Sequence, residues 1–554
     1  MNCWSNLKQL VSNETYFILI VVDRSLYAGS IYKDDAISSV ELLLTGVCMP
    51  EASAQDKGRL TGGLESNSIY YVKDSKLKDG SSVYPDDHFG SNNYLKLDYT
   101  KGKFAAGIQL EGYLPALQGY DMGVYGDKKA FLGVKYVSWQ DDNFGFRAGD
   151  IFEQFGSGMV FRSFEDRTLG INNSIEGLFG SYTYQDYITV KGLYGRPRLY
   201  ADYVDSWVRG ADFSLSLANF TNWQGVVLNV EGSYVNRNEE VPEEMVSIAK
   251  PNVDMYSARA NFDWNGLNGR VEYVGKGKDV SPSLIGTTAK GHGLLAELGY
   301  SYNCFSILGT YRELKYMSTK LSQEGEGVGN ILNYLPALTR QYTYLLANLN
   351  PYQSNGEGEK GGQIDIYYSL RNKNDRSKYW NFHANGSTFY SDKATTVKSR
   401  LLWRDINADV ERQWNKQLKT TFLVSVQEWS PTHGLDDKTY VSNIFVLDGL
   451  YKFDRTKSVR AEVQYLYSQD YEKDWIAGLI EFNLAPRWSF SLSDMYNMGT
   501  TEVHYYNGSV SYTRKNTRLQ LSYGRNRAGF ICSGGVCRYT PAYTGANLTL
   551  TTSF

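Results

Sequence analysis

The chain is expected to be all-β, a single large antiparallel transmembrane β-barrel of about 24 strands (22–26) with short turns on one side and long loops on the other. Three observations support this. Segments of alternating polarity recur along nearly the whole chain. The connections between them alternate short and long. The composition combines 45 Tyr and 53 Gly with 12 Pro and 5 Cys in 554 residues. Aromatics reach 14 % although the mean hydropathy is negative. A barrel accounts for that combination, because aromatic girdles sit at both membrane interfaces while the lumen side is polar.

The alternation is clearest in a few segments. Val271 and Tyr273 alternate with Arg270 and Glu272. Val459, Ala461, Val463, Tyr465 and Tyr467 alternate with Arg460, Glu462 and Gln464. Leu519, Leu521 and Tyr523 alternate with Arg518, Gln520 and Ser522. Successive side chains on a strand point to opposite faces, so each segment has one apolar and one polar face. A charge facing lipid near the midplane costs about 2–4 kcal/mol, so the charged face belongs to the lumen or an interface. No run of 18 apolar residues occurs, so no helical span is expected.

Short turns are expected near 101–103, 140–143, 185–187, 220–224, 264–269, 302–304, 371–377, 413–416, 454–457, 484–487 and 513–517. Between them fall longer connections, the largest being 152–175 and 316–361. A soluble sandwich has no reason to order its loops in this way, and a propeller would show blade motifs of about 40–50 residues, which are absent. The last stretch, Tyr543 to Phe554, alternates Leu548, Leu550 and Phe554 with Thr549, Thr551 and Ser553. An amphipathic final strand ending in Phe resembles the outer-membrane β-barrels of Gram-negative bacteria. In that class the terminus closes the barrel and is read by the barrel assembly machinery, which assigns both roles to Phe554. Thr552 departs from the pattern, since the class usually has an apolar residue there. The resemblance implies the cell outer membrane, with outer-membrane lipid and an outer-membrane protein as candidate partners.

Residues 1–54 are read as a non-barrel N-terminus. It contains a signal-peptide-like segment at about 40–54, where Leu42-Leu43-Leu44 leads to Ala52-Ser53-Ala54 and Gln55 becomes the expected mature start. Residues 1–39 are too long and too acidic for the usual leader. The barrel is placed at 55–554. A TonB-dependent transporter would need a plug domain ahead of the barrel, and no space is left for one. A net charge of −3 argues against nucleic acid as a partner.

No catalytic, cofactor-binding or metal-ligating motif is found. His88, His292, His383, His433 and His504 have no zinc spacing, and G-x-S-x-G, H-E-x-x-H and Walker loops are absent, so no enzyme and no cofactor are expected. Cys532 and Cys537 flank Ser-Gly-Gly-Val in the last long loop and form a candidate disulfide. Cys304 has no evident partner.

The stretch Gly149–Gly177 breaks the alternation. It carries Glu153, Arg162, Glu165, Asp166 and Arg167 beside apolar Met159, Val160, Phe161 and Phe164. Apolar residues in a long outer loop suggest that 152–175 folds into the lumen. The charged residues are then a candidate constriction that selects polar solutes, or else the satisfied ion pairs of a buried plug. The segment 316–361 is a second candidate for the lumen. Two functions stay open: a porin-like conduit for polar solutes, or a plugged barrel acting as a structural or partner-binding subunit of an outer-membrane assembly. The motif D-x-x-E-Q-x-G-S-G followed by R-x-x-E-D-R-x-L-G-I-x-N-S is similar to the domain of unknown function 6029, a Bacteroidota outer-membrane family. That resemblance covers most of the mature chain and implies a Bacteroidota setting without a biochemistry.

Overall fold

The computed structural model describes residues 58–77, 88–120, 129–241, 243, 248–280, 287–375, 377–392, 398–470, 472–533 and 536–554. The signal-peptide-like segment and Gln55 lie outside these. By internal contacts the chain separates into residues 1–58 and Arg59–Phe554, and the second unit holds the described fold.

That unit is all-β, as expected. Twenty-four antiparallel strands, from Arg59–Val72 to Tyr543–Ser553, pair in sequence order and close on themselves. A further two-residue rung, Asp202–Tyr203, folds back on the end of Ile188–Leu199. Closure joins the first strand to the last in a register running from Gly63 opposite Ser553 to Val72 opposite Thr544. Phe554 completes it: its N–H donates to the Gly62 carbonyl at 3.0 Å and its carbonyl accepts from the Gly62 N–H at 2.9 Å.

The two faces follow the expected parity. Val271 and Tyr273 are 51 % and 42 % exposed, whereas Glu272 between them is fully buried. Leu519, Leu521, Tyr523 and Leu548 are likewise exposed on the outer face. Short turns occupy one end. At Asn265-Gly266 both residues have positive φ (51° and 84°), the geometry a two-residue hairpin loop requires. The connection expected at 220–224 is a short helix, Leu217–Thr221, ended by Asn222 in the left-handed region. No helix among the described residues is long and apolar enough to cross a membrane.

Two loop boundaries shift. The strand Gly358–Arg371 begins inside the segment assigned to 316–361. Its glycines allow close strand packing: a Cβ at Gly361 would lie 2.1 Å from the Thr388 carbonyl oxygen. Ile175 likewise opens the strand Ile175–Tyr184.

Near the closing seam, the Asp74 carboxylate accepts from Arg525 Nε at 2.7 Å and from Thr544 Oγ1 at 2.6 Å. Burial alone would raise this carboxyl, but the bonds from Arg525 and Thr544 override it and hold it at about 2. A depressed folded value stabilises the barrel above the unfolded carboxylate pKa of about 3.9, and that contribution is lost as pH falls towards 2. Asp74→Asn should therefore remove about 2 kcal/mol at neutral pH and flatten the loss of stability between about pH 4 and pH 2. The fraction of unheated protein that keeps compact electrophoretic mobility, followed against pH, measures both effects.

Candidate functional site

Seven consecutive strands break the alternation on the lumen side. Each contributes one buried apolar residue there: Leu193, Val208, Val235, Met255, Val274, Leu295 and Leu314. An apolar belt facing water would be unfavourable, and two loops cover it. The segment 152–174 presents Phe155, Met159, Val160 and Phe161. The segment 316–357 presents Met317, Leu321, Leu332 and Leu335. Burying such side chains contributes roughly 1.5–3 kcal/mol each.

Polar contacts fix the register of both loops. Gly156 and Gly158 adopt positive φ and let the first loop turn tightly against the wall, where Ser157 N–H donates to Glu272 Oε2 at 2.9 Å. Wall side chains also bind the second loop by its backbone. Ser206 donates to the Leu321 carbonyl, Arg237 to that of Lys320 and Lys276 to that of Ser318, each at 2.7 Å. Asn333 joins the two loops. Its amide donates to the Met159 carbonyl at 3.1 Å and the Met317 carbonyl at 2.8 Å, and its oxygen accepts from Thr319 N–H at 3.3 Å.

The second loop then reaches other strands. Leu346 and Ala347 join a buried cluster with Leu423, Ile444, Val446, Leu466 and Trp475. Arg340 pairs with Asp409, and Tyr342 donates to Asp405 at 2.7 Å. Tyr344 approaches Asp448 at 3.4 Å. Burial raises both phenols above their ordinary value, and the neighbouring carboxylates push them further in the same direction, so both remain protonated donors. His383 lies between Asp409 at 3.1 Å and Asp365 at 2.9 Å.

The charged residues singled out in the first loop fall into separate environments. Glu153 pairs with Lys191 of the wall at 3.2 Å, not with an arginine of its own stretch. Arg162 stacks over Tyr334 at 3.9 Å and Phe164 at 4.6 Å and has no ion-pair partner among the described residues. Arg167 bonds Glu65 at 2.8 Å, Glu165 at 3.3 Å and Gln109 at 3.0 Å, and stacks over Tyr94 at 4.6 Å. Glu165 also accepts from Gln109 at 2.6 Å. Asp166 accepts from Leu169 N–H at 3.1 Å and caps a turn. Glu165 and Arg167 border a small cleft, with room for about one water, together with Tyr94, Glu111, Tyr113 and Tyr200.

Cys532 and Cys537 form a disulfide across the hairpin Gly529–Ser533/Val536–Thr540. Arg538 of that hairpin donates to the Thr168 carbonyl at 3.0 Å and so tethers the last long connection to the first loop. Cys304 is free and exposed. Among the described residues no group of three His, Cys, Asp or Glu could hold a metal ion. The sequence reading missed Asn333, Arg340 and the carboxylates that anchor the second loop. The apolar residues on lumen parity, such as Val235 and Val274, were the available signal.

Asn333→Leu should leave the Met159 carbonyl and the Thr319 N–H unpaired in a buried setting, while the Met317 carbonyl keeps only its bond from Thr319 Oγ1. A loss of about 3 kcal/mol of docking energy is expected. Limited proteolysis should then cut within 152–174 and 316–357 while the barrel strands stay protected.

No curated protein matches the chain. Among solved structures, it is similar to the P pilus usher PapC translocation pore, with a TM-score of 0.42 and 11 % identity over 89 % of this chain and 99 % of that one. It is also similar to the siderophore receptor PirA from Pseudomonas aeruginosa, with a TM-score of 0.40 and 10 % identity over 91 % and 81 %. Pseudomonas aeruginosa OpdK with vanillate gives 0.34 and 7 % over 89 % and 98 %. At these values the likeness carries no argument about what this chain does. A family model matches residues 35–554, which include every strand of the barrel and both lumen loops, and the chain belongs to that family, DUF6029, a family of unknown function.

Proposed function

We propose that the chain is an outer-membrane β-barrel conduit for polar solutes, narrowed at its long-loop end by the segments 152–174 and 316–357. One observation carries this. At the short-turn end, charged pairs on lumen parity remain accessible to water. Lys96 with Asp98, Arg270 with Glu297 and Lys419 with Glu411 have side chains between 22 % and 48 % exposed. A barrel filled solid along its length would bury such groups or replace them with apolar ones. These pairs fit an aqueous vestibule that leads up to the docked loops, where Arg162 carries a positive charge without an ion-pair partner among the described residues and Arg167 is paired with Glu65 and Glu165.

A second reading keeps the same vestibule and seals its far end, making the barrel a structural or partner-binding subunit. The buried clusters that tie the second loop to separate groups of strands favour it. Single-channel recording in a planar bilayer distinguishes the two. For a conduit, small and steady ion-selective openings are expected. Arg162→Ala with Arg167→Ala should then shift selectivity towards cations by a few-fold, and an unchanged reversal potential would remove this stretch from the path. A folded barrel that never conducts would rule out the conduit.

The attachment of the second loop gives a separate test. Arg340→Ala combined with Tyr342→Phe and Tyr344→Phe removes its polar links to Asp409, Asp405 and Asp448. Conductance should rise several-fold if that loop narrows the path. Unchanged conductance in a folded variant would place the narrowing elsewhere.

A further inference from the structure

The barrel wall is not uniform. Ala130–Gln140 pairs with Phe104–Tyr113 along nearly its whole length, from Trp139 opposite Phe104 to Ala130 opposite Gly112. On its other edge it pairs with Phe144–Ile151 only from Gln140 opposite Gly145 to Tyr136 opposite Gly149. Five rungs is the shortest ladder between neighbouring strands of this barrel. Above it, Ala130 to Lys135 face that side with no strand partner among the described residues. The neighbour departs at Gly149, where φ is +105° and a Cβ would lie 2.3 Å from the Lys135 carbonyl oxygen. Three residues later the chain enters the first lumen loop.

Side chains close the gap. Lys135 N–H donates to Asp150 Oδ2 at 2.8 Å, and Arg198 Nη2 donates to the Leu132 carbonyl at 3.0 Å. Asp150 Oδ1 accepts from Ser174 Oγ at 2.7 Å and Tyr203 Oη at 3.1 Å. Lys135 Nζ and Arg198 Nη2 both donate to Tyr203 Oη, at 2.9 and 3.0 Å. Asp150 and Arg198 are 0 % and 1 % exposed. Arg198 and Tyr203 face each other in the small hairpin formed with Leu199 and Asp202. One hairpin therefore completes this part of the wall with side chains in place of a backbone ladder.

We propose that this break is a side door, latched by Asp150, Arg198 and Tyr203, through which an amphipathic, lipid-like molecule passes between the lumen and the adjoining leaflet. The proposal rests on the barrel spanning a membrane. A gap in a backbone ladder that faces lipid must be filled by polar groups, and those groups can be exchanged for the polar head of a ligand without tearing strands apart. Both sides of the door suit such a molecule. Outside, Tyr194 and Trp207 stack at 5.0 Å beside exposed Leu178, an amphipathic surface for chains and heads. Inside, Phe131 stacks on Tyr113, whose neighbours Glu111 and Tyr94 line the small polar cleft bordered by Arg167. Arg198 lies 5.9 Å from the Phe131 ring, between door and cleft. A ligand head would find hydrogen-bonding groups on the inside while its chain stayed in the bilayer. A water-soluble ion gains nothing from this route.

The test uses the whole barrel in vesicles of phosphatidylcholine carrying a photoactivated diazirine on one acyl chain, with labelled residues mapped by mass spectrometry. Label is expected on Leu178, Tyr194 and Trp207 outside, and also on Phe131, Tyr113 or Tyr200 behind the latch. Tyr203→Phe, which removes a single hydroxyl, should raise the inner labelling several-fold. Asp150→Asn serves as the second variant, with electrophoretic mobility reporting that both fold. Outer labelling alone, in the native barrel and in both folded variants, would overturn the proposal. Inner labelling that neither variant changes would overturn the assignment of the latch. If the outer residues also stay unlabelled, the reading of a membrane-spanning barrel fails instead.

Discussion

The structure depends on the requirement that the backbone N–H and C=O groups of every strand find partners within the sheet. An open sheet of 24 strands would leave two unpaired edges. Closure of Arg59–Val72 on Tyr543–Ser553 removes both. Phe554 extends that closure, paired to Gly62 through both of its backbone groups. The alternating parity follows from the same requirement. Once the ladder is closed, each strand has one face outwards and one towards the lumen, and residue choice can separate them.

A barrel this wide has a second requirement on its inner side. Seven adjacent strands carry apolar residues on lumen parity, and these need a covering that strands cannot supply. Long connections provide it, which explains why 152–174 and 316–357 combine large apolar side chains with residues that bind the wall. The wall's buried charges are consumed in the same contacts. Arg237 and Lys276 donate to loop carbonyls, and Glu272 accepts from a loop N–H. Much of the lumen charge is thus structural, which separates it from the water-accessible pairs at the short-turn end.

Much of the fold was legible in the sequence because two-residue periodicity is a local property. Strands such as Leu267–Val280 and Lys457–Tyr467 separate their apolar and charged parities without any knowledge of neighbours. The odd apolar content of Met159 to Phe164 also pointed towards the lumen. Partners were not legible. Nothing local tells that Glu153 meets Lys191, that Arg167 meets Glu65, or that Arg340 meets Asp409, because each pair joins residues separated by 38 or more positions. The boundary near Gly358 to Gly362 was not legible either, because the close strand packing there depends on a neighbour far along the chain.

The shortened ladder between Ala130–Gln140 and Phe144–Ile151 falls at the entrance to the first lumen loop. Strand Phe144–Ile151 ends because its chain must turn inwards to cover the apolar belt. That turn removes the ladder partner of Ala130 to Lys135. Asp150, Arg198 and Tyr203 are therefore placed where a loop that fills the lumen meets a wall that must stay sealed. Regular strands cannot satisfy both demands at one position. A hydrogen-bonded cluster of side chains can, and unlike a ladder it can exchange partners one bond at a time.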